Sequence, residues 1–276
     1  MILFFCFTAL PVIIAMYLSF TSFNIIEPPE FVGLANYVRL FLSDNIFMDA
    51  IGNTFIMAVI IGPIGYLICL FLAWMINELP RTLRTILTLI FYAPSISGNV
   101  YFIFQYLFSN DSQGYFNALL IKYGIIQGPI LWFQNEKYMM PLIVGIAIWT
   151  SVGTTFLSFI AGLQGIPAHL YEAAAIDGIK NRWQELWYVT LPSMKPQLMF
   201  GAVMSITGAF GVGGIVTALC GLPSTNYAVH TIFNHLEDYG SVRFEMGYAS
   251  AIATILFLIM IVSNKLIQKV ISKVGE

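Results

Sequence analysis

The length of its uncharged runs constrains this chain more than any other feature. From Ala50 to Asn77, and again from Tyr138 to Ala168, no Asp, Glu, Lys or Arg interrupts a sequence rich in Ile, Leu, Phe, Gly and Ala. A helix needs about 20 such residues to cross the roughly 30 Å apolar core of a bilayer. Water is absent there, so each run must satisfy its own backbone hydrogen bonds, and a helix does this within one segment. Similar runs cover Met1–Ile26, Thr85–Asn110, Gln197 to Leu219 and Met246–Asn264. The pattern predicts an all-α polytopic membrane protein of six transmembrane helices, at about 1–23, 51–76, 85–108, 140–164, 197–219 and 246–264. Composition agrees: 58% of the 276 residues are hydrophobic, only 9% are charged, and the mean hydropathy is +0.81. No 20-to-50-residue repeat and no linker divides the chain, so a single domain over 1–276 is expected.

The first run has no basic lead and is too long for the apolar part of a signal peptide, so it reads as a span. A net charge of −2 argues for no nucleic-acid partner. Cys6, Cys69 and Cys220 sit in or beside apolar stretches without a Cys-x-x-Cys pair and read as small apolar residues. The basic residues are informative by position. Arg81, Arg84, Lys180, Arg182, Lys195, Lys265, Lys269 and Lys273 fall on one side of the six spans; only Arg39, Lys122, Lys137 and Arg243 fall on the other. By the positive-inside rule the richer side is cytoplasmic, which places both termini there. The loop Asp111–Lys137, with turn signals at Gly114, Gly124 and Gly128-Pro129, is then external.

Residues 165–196 form the longest polar segment on the cytoplasmic side. Pro167 suits the first turn of a helix and Gly178 the left-handed residue past its end. Between them Ala173-Ala174-Ala175 combines helix propensity with little bulk, so another surface could close on it. Farther on, Trp183, Leu186 and Trp187 have i, i+3, i+4 spacing, which predicts one apolar face; an amphipathic segment at the membrane surface and packing beneath the spans are both open readings. Glu172-Ala-Ala-Ala-Ile-Asp177-Gly178, followed by Trp183-Gln184 and Thr190-Leu191-Pro192, resembles the EAA loop of permease subunits of ATP-binding-cassette importers, in its carbohydrate-uptake (maltose-permease) branch. One departure is that residues 179–191 separate Gly178 from Pro192, one more than the family usually has, which suggests an extra residue in the turn.

The resemblance implies several things together. Glu172, Ala173, Ala174, Asp177 and Gly178 would dock the ATPase: Glu172 as ionic contact, the alanines as the close-packing face, Gly178 as the turn. The partners would be a second permease, two ATPase subunits that bind ATP-Mg, an extracytoplasmic solute-binding protein, a sugar, and the lipid of a bacterial or archaeal cytoplasmic membrane. This chain itself would be non-catalytic and hold no cofactor.

That division of labour fits what the residues lack. There is no Gly-x-x-x-x-Gly-Lys-Ser/Thr phosphate loop, and no charge lies in mid-span, where ion-coupled carriers place one. His169, His230 and His235 have no metal-site spacing and read as structural or solvated. The fourth span instead carries hydroxyls, with Thr150, Thr154 and Ser158 at successive i+4 positions beside Ser151 and Thr155. Hydroxyls without charge suit a neutral hydrogen-bonding solute, but they also serve as ordinary interhelical bonds in membranes. The resemblance places the sugar contacts in the helices flanking the loop, at Thr150, Ser151, Thr154, Thr207, Gly208 and Gly211. In the fifth span Gly201, Ser205, Ala209 and Gly213 form a small-residue ridge that reads as packing within the bundle. The competing functional reading is a self-contained channel or secondary carrier.

Overall fold

The computed structural model of the chain describes residues 1–97 and 100–271. Its helices begin with α1 (Ile2–Leu18), which is followed by a two-residue hairpin, β1 (Thr21–Ser22) and β2 (Glu30–Phe31), paired antiparallel with Thr21 opposite Phe31. Then come α2 (Ala35–Leu42), α3 (Asn45–Asn77), α4 (Arg81–Ile96), α5 (Tyr101–Leu107) and α6 (Tyr115–Lys122). Next are α7 (Glu136–Thr150), α8 (Thr154–Gln164), α9 (Ala168–Ile176), α10 (Arg182–Glu185) and α11 (Leu191–Ser193). The chain ends with α12 (Lys195–Phe210), α13 (Gly213–Cys220), α14 (Ile232–Glu237) and α15 (Met246–Ile271).

Among the described residues, four stretches are long and apolar enough to cross a membrane: α3, α7 with α8, α12 with α13, and α15. The pair α4 and α5 makes a fifth if counted as one span. Part of that expected third span, Gly98 and Asn99, lies outside the described residues, as does Lys273. Helix α1 is roughly 25 Å long at the helical rise, just under the apolar thickness. Two expectations about continuity are corrected. The fourth span breaks at residues 151–153 and the fifth at residues 211–212, both at glycines that lower the cost of leaving the helix. The loop 111–137 also contains a helix, α6, that its turn signals concealed.

Local chemistry explains the starts of several elements. Asp44 precedes the long apolar run, and its Oδ1 accepts the Phe47 N–H at 3.0 Å, so it caps α3. Thr231 and Asn234 form a capping box at α14. Pro63 lies inside α3, a position that membrane helices tolerate.

The chain divides into two compact units. One comprises residues 1–58, 101–144 and 210–261. Here buried Asn117 organises the 108–133 loop: its Nδ2 donates to the carbonyls of Ser109, Asp111 and Ile130, and its Oδ1 accepts from Ile130 N–H and the Trp132 indole. In the same unit Asn234 Nδ2 donates to Gly213 O at 2.9 Å, and the Thr54 hydroxyl accepts the Ile232 N–H at 2.9 Å. The second unit comprises residues 59–100, 145–209 and 262–276. Its core packs Cys69 and Ala73 of α3 with Phe156, Phe159 and Leu163 of α8 and Met194. A Cβ on Gly201 would fall 2.6 Å from the Phe159 ring, and Ser205 Oγ lies 3.4 Å from Thr155 Oγ1. The ridge Gly201, Ser205, Ala209 therefore packs within the unit, while Gly213 lies beyond the helix break.

Candidate functional site

The polar segment after α8 begins with Pro167, which occupies the N-cap with ψ 135° and not the first helical turn; its fixed φ still directs the chain into α9. At the other end Gly178 has φ +94°, with its N–H bonded to Ala175 O and the Ile179 N–H bonded to Ala174 O at 3.0 Å. This is a Schellman closure, which needs a residue comfortable at positive φ. Glu172, Ala173, Asp177 and Gly178 are exposed, whereas Ala174 is buried. The three alanines therefore do not share a face: Ala174 fixes the helix to its own chain, and Ala173 and Ala175 face outward beside Glu172.

Beyond the turn, α10 and α11 are joined through a π-helical turn, Leu186–Thr190, in which the Leu191 N–H reaches back to Leu186 O. Such a turn holds one residue more than an α-turn. This turn lies in the second half of the loop, between Gly178 and Pro192. The three residues expected on one apolar face also differ in burial. Leu186 turns inward, while Trp183 and Trp187 remain exposed. Two contacts that sequence reasoning missed tie this region together. Tyr171 Oη lies 3.3 Å from Thr190 Oγ1, linking α9 to the π-turn, and Arg182 bridges Glu185 at 2.8 Å and Glu78 of the α3–α4 turn at 3.0 Å. The hydrogen bond to Glu185, helped by the charge of Glu78, raises the Arg182 pKa. Burial raises that of Tyr171.

The hydroxyls expected to meet a solute fall into two groups. Thr150 Oγ1 donates to Ala147 O at 3.1 Å, Ser151 Oγ to Ile148 O at 2.7 Å and Thr207 Oγ1 to Val203 O at 2.8 Å, so their donors are engaged by nearby backbone. Thr155 donates to Gly201 O. Thr154 is exposed, as are Thr207, Gly208 and Gly211. The i+4 strip does not run through Thr150 and Thr154, because the break between α7 and α8 intervenes. Gly153 at the break is buried with Ser95 against it, and a Cβ on Gly65 would lie 2.6 Å from Ser151 Oγ. Close packing, not an open groove, surrounds that break. A Cβ on Gly208, by contrast, would meet no atom within 4 Å.

The first unit holds a buried polar chain that spacing did not reveal. Asp44 Oδ2 accepts from Tyr248 Oη at 2.7 Å and from His235 Nε2 at 3.0 Å, and His235 Nδ1 lies 3.2 Å from His230 Nε2. A carboxylate can only accept, so His235 carries its proton on Nε2 and accepts from His230 Nε2–H. Burial lowers the pKa of both rings, that of His230 to about 4, and keeps them neutral near pH 7. Burial pushes Asp44 the other way, but its bonds from Tyr248, the Phe47 N–H and His235 hold it below its ordinary value. Sequence spacing gave no signal for this polar chain: His230 and His235 lie five apart, and Asp44 is nearly two hundred positions away. Among the described residues no group of three or more His, Cys, Asp or Glu is arranged to hold a metal ion. The same unit also contains an open cavity of about 460 Å³, lined by Gln105, Asn110, Asp111, Phe133 and Gln134 among others.

Comparison with known proteins bears on the family and the fold. The family described as "Binding-protein-dependent transport system inner membrane component" matches residues 65–274. The chain is 33% identical over 263 residues to the probable ABC transporter permease protein YesP of Bacillus subtilis, covering 93% of this chain and 82% of that protein. It is 32% identical over 249 residues to the arabinooligosaccharides transport system permease protein AraP of the same organism, covering 87% and 77%. A crystal structure of a bacterial ABC transporter involved in the import of the acidic polysaccharide alginate contains a chain of the same fold, with a TM-score of 0.82 at 23% identity over 100% of this chain and 93% of that one.

Proposed function

Because the chain belongs to the family of binding-protein-dependent transport system inner membrane components, we propose that it is one permease subunit of an ATP-driven importer of a neutral oligosaccharide. It forms half of a translocation pore with a second permease, receives its solute from an extracytoplasmic binding protein, and takes its energy from two ATPase subunits. It performs no catalysis. The observation that carries this reading is the geometry of α9: a short helix anchored to its own chain by Ala174, closed by Gly178, and presenting Glu172 and Ala173 outward. An exposed carboxylate on a slender helix suits a cleft with basic residues on the ATPase. The arabinooligosaccharide relative supports a sugar, and the uncharged hydroxyls of Thr154 and Thr207 suit a neutral one. In this reading residues 165–196 and both termini are cytoplasmic.

Purification of the tagged chain from its native membranes tests the proposal. An ABC ATPase and a second permease should co-purify, and Glu172→Lys should lose the ATPase while retaining the permease. Uptake that continues in ATP-depleted, energised vesicles would favour a secondary carrier instead. For orientation, Lys180→Cys and Thr225→Cys, both at exposed positions, should react with an impermeant thiol reagent from opposite sides. Reaction of both from outside would overturn the topology.

A further inference from the structure

The helix spanning 182–193 presents two unlike faces. Leu186, Thr190 and Leu191 are buried, whereas Trp183, Trp187 and Tyr188 are 62%, 66% and 69% exposed. Three large aromatics left this open need a covering, and four observations indicate which. The Trp183 ring packs on Phe71 and Trp74 of α3, with centroids 6.2 and 5.2 Å away. Those residues lie six and three positions before the end of α3 at Asn77, or about 9 and 5 Å along its axis. Helices that lie in a membrane interface sit at about that depth, roughly 5–10 Å. The uncharged run of α3 ends at Asn77, and Glu78, Arg81 and Arg84 follow at once, so the last turns of α3 lie where hydrocarbon gives way to headgroups.

The second observation is continuity. Val59, Pro63, Leu67, Phe71 and Met75 form an exposed i+4 stripe along α3, the apolar surface a spanning helix turns to lipid, and Trp183 extends it from Phe71. Residue type is the third. Trp and Tyr, with apolar rings and one polar group each, are enriched where hydrocarbon meets water. Finally, among the described residues neither the Trp187 indole N–H nor the Tyr188 hydroxyl has a protein partner, which leaves both available to phosphate and carbonyl oxygens of lipid. We propose that Trp183, Trp187 and Tyr188 form a lipid-binding face that seats the 182–193 helix in the headgroup layer, so that the bilayer itself holds the segment joined to α9 through Tyr171 and Thr190.

The test uses the full chain in phospholipid vesicles, with Cys6, Cys69 and Cys220 replaced by Ser and a nitroxide attached at Tyr188→Cys. Collision rates with dissolved oxygen and with a water-soluble nickel chelate are compared with those at Val59→Cys, in the apolar stripe, and Lys180→Cys, in the exposed turn. The expected result is intermediate at residue 188: nickel collisions several-fold fewer than at 180, and oxygen collisions more frequent. Values equal to those at 180 would show a water-facing surface, and protection from both reagents would show a protein covering, such as an ATPase or a second copy; either overturns the proposal. An independent measurement keeps Tyr188 and all three cysteines. Lipids brominated near the carbonyl should quench the tryptophan fluorescence, and Trp187→Phe should remove part of the quenched signal. Quenching unaffected by Trp187→Phe and by Trp183→Phe would likewise overturn it.

Discussion

Replacing Gly178 with Val isolates the contribution of the α9 closure. Gly178 has φ +94°, and a Cβ built there meets no atom within 4 Å, so the cost of a side chain is purely one of backbone conformation. For an L-residue in a left-handed conformation that cost is about 1–2 kcal/mol, and a β-branched residue falls at the upper end. The bonds that depend on the closure are those from the Gly178 N–H to Ala175 O and from the Ile179 N–H to Ala174 O. A loss of 1–2 kcal/mol multiplies the open fraction of this turn about 5- to 30-fold. Hydrogen exchange of the purified, reconstituted chain reads this at the Ile179 amide. Gly178→Val should speed its exchange by that factor while amides inside α8 such as Ile160 are unchanged, and Gly178→Asn should lie between wild type and Val because Asn tolerates this region. Unchanged Ile179 exchange in the Val variant, or an Asn variant as fast as Val, would refute the backbone argument. Loss of ATPase co-purification in step with the exchange rates would connect the closure to coupling.

Other expectations follow from the same geometry. The buried pair His230 and His235 is surrounded by Asp44, Tyr248, Tyr239, Asp238 and Arg243, with Arg39 and Glu245 just outside. Because the folded pKa of His230 is about 4 against 6.5 unfolded, the unfolded form binds the extra proton between those values, and stability falls on acidification by as much as about 3 kcal/mol. Thermal unfolding at pH 7 and pH 4.5 should show this, with His230→Gln flattening the dependence; stabilisation in acid would contradict it. The depressed Asp44 acts only at lower pH, where its contribution is lost as the carboxylate protonates. Gly201→Ala would press on Phe159 and should cost about 1–3 kcal/mol of stability, visible as reduced yield, whereas Gly208→Ala should fold normally. Thr154→Val should weaken sugar dependence of uptake about three- to tenfold at normal assembly, the value of one hydrogen bond. Thr155→Val should instead lower yield, since its hydroxyl is bonded to Gly201 O.

Much of the helical plan was legible because span length and charge are one-dimensional properties. Uncharged runs must become helices in lipid, and the expected limits 51–76 and 246–264 fall inside α3 and α15. Gly178 could likewise be read, since a positive φ after a helix is a local demand. What spacing missed depends on a third dimension. An i+4 pattern assumes an unbroken helix, so Thr150 and Thr154 were assigned one strip although residues 151–153 leave the helix. Trp183, Leu186 and Trp187 were assigned one face although Leu186 is buried in the core while both tryptophans stay exposed. Whether a hydroxyl is left exposed or bonded to backbone is equally hidden from spacing, as exposed Thr154 and buried Thr155 show.

By itself the sequence determined that this is a helical membrane protein of the transporter permease family with a polar loop shaped as a short helix closed by glycine, because hydropathy, charge and the EAA pattern are written in residue order. Only the tertiary structure decided which groups meet. It joined Asp44 to His235 and His230 across nearly two hundred positions, tied Tyr171 to Thr190 and Arg182 to Glu78, and turned Ala174 inward while Ala173 faced out. The physical reason is that each pairing depends on the relative rotation of helices about their axes. A single break or a widened turn resets that rotation for every residue that follows.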